Sequence, residues 1–218
     1  MRRRPACRSP APPPTCVSAS RPERRFLAAA AIALVALAGA CAAWAGAQKR
    51  EPLSAAIQAT LAKAVTDRER TLPDDHEARA WMRAMYDRVH RRVRDERIAR
   101  DLLEMVRYEA LRAGLDPRLV LAVIDVESGF RKYAVSSAGA RGYMQVMPFW
   151  VREIGMPGQN LFHPRTNLRY GCVILRHYLR IEDGNLHNAL GRYNGSLGRP
   201  EYPERVLRAL RERWSPGA

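Results

Sequence analysis

Lysine is nearly absent from this 218-residue chain: Lys49, Lys63 and Lys132 are the only three among 37 basic residues. Arginine therefore carries almost all of a formal charge of +15, set against 22 acidic side chains. So uniform a bias reflects coding composition as readily as selection for bidentate contacts, and it names no partner by itself. It does favour an anionic surface over a neutral one. Cysteine is scarce at four residues, which excludes a disulfide-stapled miniprotein. Glycine (14) and proline (15) are too few for a fibrous or wholly disordered chain. No segment sustains apolar/polar alternation, so any sheet must be small. His76, His90, His163, His177 and His187 are scattered and join no cysteine at metal-ligand spacing. No metal and no cofactor are expected.

The hydrophobic content of 47% suits one real core with appendages. Residues 1–25 are rich in Arg, Pro and Ser without apolar periodicity and read as a basic disordered segment. Residues 26–47 (FLAAAAIALVALAGACAAWAGA) contain no charge and follow Arg24-Arg25, the pattern of a signal peptide or membrane anchor. Ala45-Gly46-Ala47 before Gln48 is a candidate cleavage site. Ala38-Gly39-Ala40 before Cys41 is another, similar to a lipoprotein box except that Ala38 stands where Leu is usual. The flanking arginines place everything after the run outside the cytoplasm: periplasmic, or anchored in the inner membrane facing the periplasm. Cleavage after Ala47 would leave Cys172 as the only cysteine, read as a buried, inert thiol in an apolar helix.

The remainder reads as helix after helix: Pro52 to Thr66, then Asp74 to about Arg94 with Asp74 and Asp75 at its N-cap and first turn. Ile98 to Ala113 follows and stops at Gly114. Asp116-Pro117 then opens a helix, cap followed by N1 proline, that runs from Arg118 to Ser128 and ends at Gly129. The charge run from Arg88 to Arg100 reads as a solvated helix face rather than a nucleic-acid surface. The organisation expected is a helical N-terminal region at 48–95 and a mainly α domain at 96–218.

Val120, Val123, Ile124 and Glu127 recur at i, i+3, i+4 and i+7, so a carboxylate ends an apolar stripe in the helix's last turn. Burial and the negative end of the helix dipole both disfavour its charged form, as a general acid requires. Asp125 points elsewhere on the same helix. A plainer reading has Glu127 turned to solvent or paired with Arg131.

Four blocks follow in order: Glu127-Ser128-Gly129-Phe130; Ser136 to Pro148 (SSAGARGYMQVMP); Asn167-Leu168-Arg169-Tyr170-Gly171; and Arg192-Tyr193-Asn194. Together they resemble the lytic transglycosylases with a soluble-lytic-transglycosylase (SLT) catalytic domain, a branch of the lysozyme-like superfamily. The family pattern is E-S-x-F, S-x-x-G-A-x-G-L-M-Q-x-M-P, N-x-x-x-G and A-Y-N, and the likeness spans roughly residues 100–210. Two departures bear on the shape of the cleft: Tyr143 stands for the usual Leu or Ile, and Tyr193-Asn194-Gly195-Ser196 for Y-N-A-G.

The resemblance implies cleavage of the MurNAc–GlcNAc β-1,4 bond of peptidoglycan without water as nucleophile. Glu127 would protonate the leaving oxygen and then take the C6 hydroxyl proton as a 1,6-anhydro ring closes. It further implies substrate-binding roles for Ser136, Gln145, Met147, Tyr193 and Asn194, with the Tyr193 hydroxyl orienting the acid. Independently, Glu153 is the only acidic residue between Ser128 and Ile181. A paired-carboxylate glycosidase is therefore poorly provided for, although Glu153, Glu182 and Asp183 remain open.

The expected partners are peptidoglycan glycan strands, the membrane through an uncleaved N-terminal segment, and an unidentified protein for 48–95, with no nucleic acid. The alternatives are a hydrolytic lysozyme-type muramidase and a non-catalytic peptidoglycan-binding protein.

Overall fold

The computed structural model describes residues 48–67 and 76–215. The basic segment 1–25, the signal or anchor 26–47, Cys41 and the Asp74-Asp75 cap lie outside them. Among the described residues no helix is long and apolar enough to cross a membrane.

Residues 48–54 form neither helix nor strand, and α1 (Ala55–Thr66) begins where the Ser54 hydroxyl accepts from the Ile57 amide. The expected start at Pro52 is therefore three residues early. α2 (His76–His90) stops short of the expected Arg94, because Asp95 caps the next helix, accepting from the Ile98 amide at 2.9 Å. The Arg88–Arg100 charge run consequently spans a turn between two helices rather than one helix face. Arg100 lies over the Tyr86 ring, and Arg92 reaches back to Asp125.

α3 (Glu96–Ala113) ends at Gly114, which takes the left-handed conformation with φ 70°. This is the stop its position predicts. α4 (Pro117–Glu127) has Asp116 accepting from the Arg118 amide and Pro117 at its first position. It is buried more completely than a single apolar stripe implies, for every residue from Leu119 to Ile124 is inside. α4 is thus a central helix, with α3 against it on one side and α8 (Glu201–Ala209) and a π-helical turn (Leu210–Trp214) on another.

A loop joins α4 to the short α5 (Phe149–Ile154). Then come α6 (Pro164–Ile181), which packs on α3, and α7 (Leu186–Asn194), which packs on α6 and α8. The only β features among the described residues are two isolated bridges, Val135–Arg141 and Arg141–Val146, inside that loop. The body is mainly helical, as the absence of alternation requires. Cys172 is fully buried on α6.

α1 and α2 share this core through Leu61, Val65, Met85 and Val89. A buried charge cluster also ties α1 down. Glu109, with 0% exposure, is paired with Arg112 and Arg169. The same two guanidiniums donate to the carbonyls of Ala64, Val65 and Asp67 at the end of α1. Two arginines on one carboxylate satisfy a charge that would be costly to bury alone.

Candidate active site

The chain leaves α4 through a sharp reversal. The Ser128 hydroxyl donates to the Ile124 carbonyl, and Gly129 (φ 56°) and Phe130 (φ 65°) are both left-handed. A phenylalanine rarely adopts that conformation. Here its ring packs on Trp214, 5.4 Å between centroids, which holds the turn in place.

Glu127 is the last residue of α4 and half-buried. Its Oε1 accepts from the Tyr202 hydroxyl at 2.6 Å. Desolvation pushes Glu127 up to about 7, against the downward pull of that hydroxyl and of the nearby Arg205. Arg131 does not pair with it, donating instead to the Ser128 carbonyl. Asp125 faces away, as the helical offset dictates. It accepts from Arg213 at 2.6 Å and Trp214 at 3.3 Å and pairs with Arg92, fastening the C-terminal turn and the α2 end to α4. One helix thus carries two carboxylates with opposite fates, one tied up by cations and one whose charged form burial disfavours.

The loop beside Glu127 is braced from α6. Asn167, almost wholly buried, accepts from the Met144 amide and donates to the carbonyls of Arg141 and Leu161. Gly142 (φ 77°) lies so close that a Cβ there would stand 2.5 Å from Asn167 Nδ2 and 2.6 Å from the Leu161 oxygen. A Cβ on Gly171 would meet Met144 Sδ at 2.4 Å. The Asn167 and Gly171 block is thereby explained: it seats the loop that carries Met144, Gln145 and Met147.

Each residue singled out from sequence has a definite place. Gln145 is buried with φ 49°, and its Nε2 donates to the carbonyls of Ala134 (3.1 Å) and Gly142 (2.9 Å). Its donors therefore shape the loop. The Ser136 hydroxyl accepts from the Ala140 amide, closing its own turn. Met147 packs half-buried against the core, with its amide donating to Gln48 Oε1. Asn194 is buried, and its Nδ2 finds no acceptor among the described residues. Tyr143 is buried in the core.

Tyr193 requires a correction. Its hydroxyl donates to the Met144 carbonyl at 2.7 Å rather than to the acid, because a fully buried phenol needs an acceptor and the braced loop supplies one. It still lies near enough to Glu127 to feel its charge. The hydroxyl on Glu127 belongs to Tyr202, which sequence reasoning did not single out. The only local signal was an aromatic residue on the buried face of an amphipathic helix, and that is ordinarily core. Among the described residues no three of His, Cys, Asp or Glu gather as a metal-holding group.

Residues 104–206 match the family described as Transglycosylase SLT domain. The chain is similar to the membrane-bound lytic murein transglycosylase C of Actinobacillus pleuropneumoniae serotype 5b, 42% identical over 86 residues, 35% of this chain and 24% of that one. It is 34% identical over 116 residues to the same-named protein of Edwardsiella ictaluri, 46% of this chain and 32% of that one. The transglycosylase of Enterobacteria phage PRD1 is 32% identical over 103 residues, 44% of this chain and 38% of that one. An inactive mutant of the lytic transglycosylase Slt from Pseudomonas aeruginosa aligns at 27% identity and a TM-score of 0.41, over 49% of this chain and 20% of that one. The chain thus spans between about a quarter and two-fifths of the curated relatives' lengths.

Proposed function

We propose, from the match of residues 104–206 to the Transglycosylase SLT domain, that the chain is a peptidoglycan lytic transglycosylase, cleaving the MurNAc–GlcNAc β-1,4 bond to leave 1,6-anhydromuramoyl ends. One observation carries the reading: Glu127 is a half-buried carboxyl held by Tyr202, with a pKa of about 7. Near neutral pH it populates both protonation states that a single acid–base residue must use in turn.

Protonated Glu127 gives its proton to the glycosidic oxygen as the bond from C1 breaks, and N-acetylglucosamine leaves with a free hydroxyl. Positive charge develops at C1, facing the new carboxylate. The muramoyl C6 hydroxyl oxygen bonds to C1 and its proton passes to Glu127, which restores the acid. No water is consumed. Of the carboxylates that could serve as a second group, Glu153 pairs with Arg50 and Glu182 with Arg192, and Asp125 on the same helix as Glu127 pairs with Arg213. That supports a scheme with one carboxyl rather than a pair.

The N-terminal basic segment and the apolar run at 26–47 support export to the periplasm, with the body released or held at the membrane. The arginine-rich surface suits peptide-stem carboxylates and anionic headgroups. We assign catalysis to 96–218, with α1 and α2 sharing its core as a helical support. Glu127→Gln in the full chain should abolish clearing of purified sacculi while sedimentation with them is kept. Undiminished clearing by that variant overturns the reading.

A further inference from the structure

Residues outside the matched domain reach the loop that carries Met147. Gln48 is 4% exposed although it lies in a segment that forms neither helix nor strand. Its Oε1 accepts from the Met147 amide at 3.2 Å. Its amide group also lies beside the Tyr193 hydroxyl, whose ionisation it influences. Met147 and Tyr193 are two of the residues to which substrate contact is assigned. The segment is then pinned on both sides. Arg50 pairs with Glu153 on α5, and Glu51 pairs with Arg192 on α7, which also holds Glu182.

We propose that residues 48–53 are a strap lying in the glycan cleft as an internal occupant, with the Gln48 carboxamide filling a place that takes a sugar acetamido group. The proposal rests on the transglycosylase reading of this cleft. A carboxamide and an acetamido group present the same carbonyl acceptor, so the Met147 N–H satisfied by one is satisfied by the other.

The strap is built to leave. Gln48 Nε2 makes no full hydrogen bond among the described residues, and the Tyr193 hydroxyl beside it is already engaged with the Met144 carbonyl, so the occupied state leaves that donor poorly satisfied. The flanking pairs are exposed at one end, with the Arg50 side chain 74% and the Glu51 side chain 46% accessible. Such pairs hold weakly and are screened by salt. A cavity of about 390 Å3 lies beside the strap, where Leu53 packs on the core while Lys49, Arg50, Glu51 and Pro52 are exposed. The hinge is the Ser54 cap of α1, and Gln58 keeps α1 on α5 through the Glu153 carbonyl, so release does not require the helix to unfold. Occupancy by the strap lowers apparent affinity for glycan by the fraction of molecules that are closed.

The test uses the full chain, its Gln48→Ala variant and an Arg50→Ala/Glu51→Ala variant, with circular dichroism to check the fold. Tri-N-acetylchitotriose is the binding probe in calorimetry, and sacculus clearing reports turnover. Both variants should bind the trisaccharide several-fold more tightly than the parent. The parent's affinity should rise with ionic strength while that of the double variant stays flat. Equal or weaker binding by Gln48→Ala, in a protein whose parent clears sacculi, overturns the strap and leaves the transglycosylase reading standing. Absence of both binding and clearing in all three proteins overturns that reading and the strap with it.

Discussion

The Tyr202 hydroxyl and Glu127 Oε1 stand 2.6 Å apart across 75 residues of sequence. The hydroxyl stabilises the carboxylate form while burial opposes it, and the balance leaves Glu127 near neutrality. Tyr202→Phe removes the stabilising bond. The alkaline limb of kcat/KM should move to higher pH, and the rate at its optimum should fall about tenfold, the loss expected for one hydrogen bond to a charged group. A pH–rate profile on soluble glycan checks both. An unmoved limb contradicts the assignment.

The pH profile of the parent follows from the same balance. Chemistry starts from protonated Glu127, so kcat/KM should fall as pH rises through about 7. With one acid and no paired carboxylate, no matching acidic limb is expected between pH 5 and 7. Two limbs would indicate a second essential group.

Glu127 also costs stability, with a sign opposite to that of a salt-bridged acid. Its folded pKa is about 7 against 4.5 when exposed, so the native state holds the proton more tightly and stability declines as pH rises between those values. Glu127→Gln should therefore raise Tm at pH 8, by about 5 °C for a chain of this size, and the gain should vanish towards pH 4.5. The same substitution should lower activity at least about a hundredfold. Thermal scans at the two pH values separate this effect from any general stabilisation.

Asp125 is a structural carboxylate and should behave accordingly. Asp125→Ala leaves Arg213 and Trp214 without their acceptor and loosens the π-helical turn against which Phe130 rests. A loss of about 2–3 kcal/mol in denaturant unfolding is expected, with activity falling in proportion to the unfolded fraction.

Gly142→Ala tests the braced loop. The backbone there is left-handed and the new Cβ meets the Leu161 carbonyl, which cannot swing away as a side chain can. Destabilisation of about 2–4 kcal/mol is expected. Asn167→Ala should mimic it, since it strips the Met144 amide and the Arg141 carbonyl of their partner.

Local chemistry explains what the sequence made readable. Gly114, Asp116 and Pro117 are stop, cap and first position within a few residues of one another, so one helix's end and the next one's start could be read directly. Glu127 could be found because helical spacing places it on the apolar stripe. Tyr202 could not, because only tertiary packing returns α8 to the end of α4 and nothing near Tyr202 in sequence records that. The same holds for Glu109, whose partners Arg112 and Arg169 come from two helices, and for Gln48, whose side chain meets the distant Met147 amide. The role implied for Tyr193 failed on a finer point. Its proximity to Glu127 holds, but a buried hydroxyl bonds the nearest free acceptor, and that is the Met144 carbonyl.

The mass of the released muropeptides tests the central claim most directly. Intact sacculi digested by the full chain should yield products lacking a reducing end and lighter by one water than their hydrolysed equivalents, and Glu127→Gln should yield none. Reducing-end products of full hydrolytic mass would contradict single-acid chemistry at Glu127 and require a second carboxylate and a water in its place.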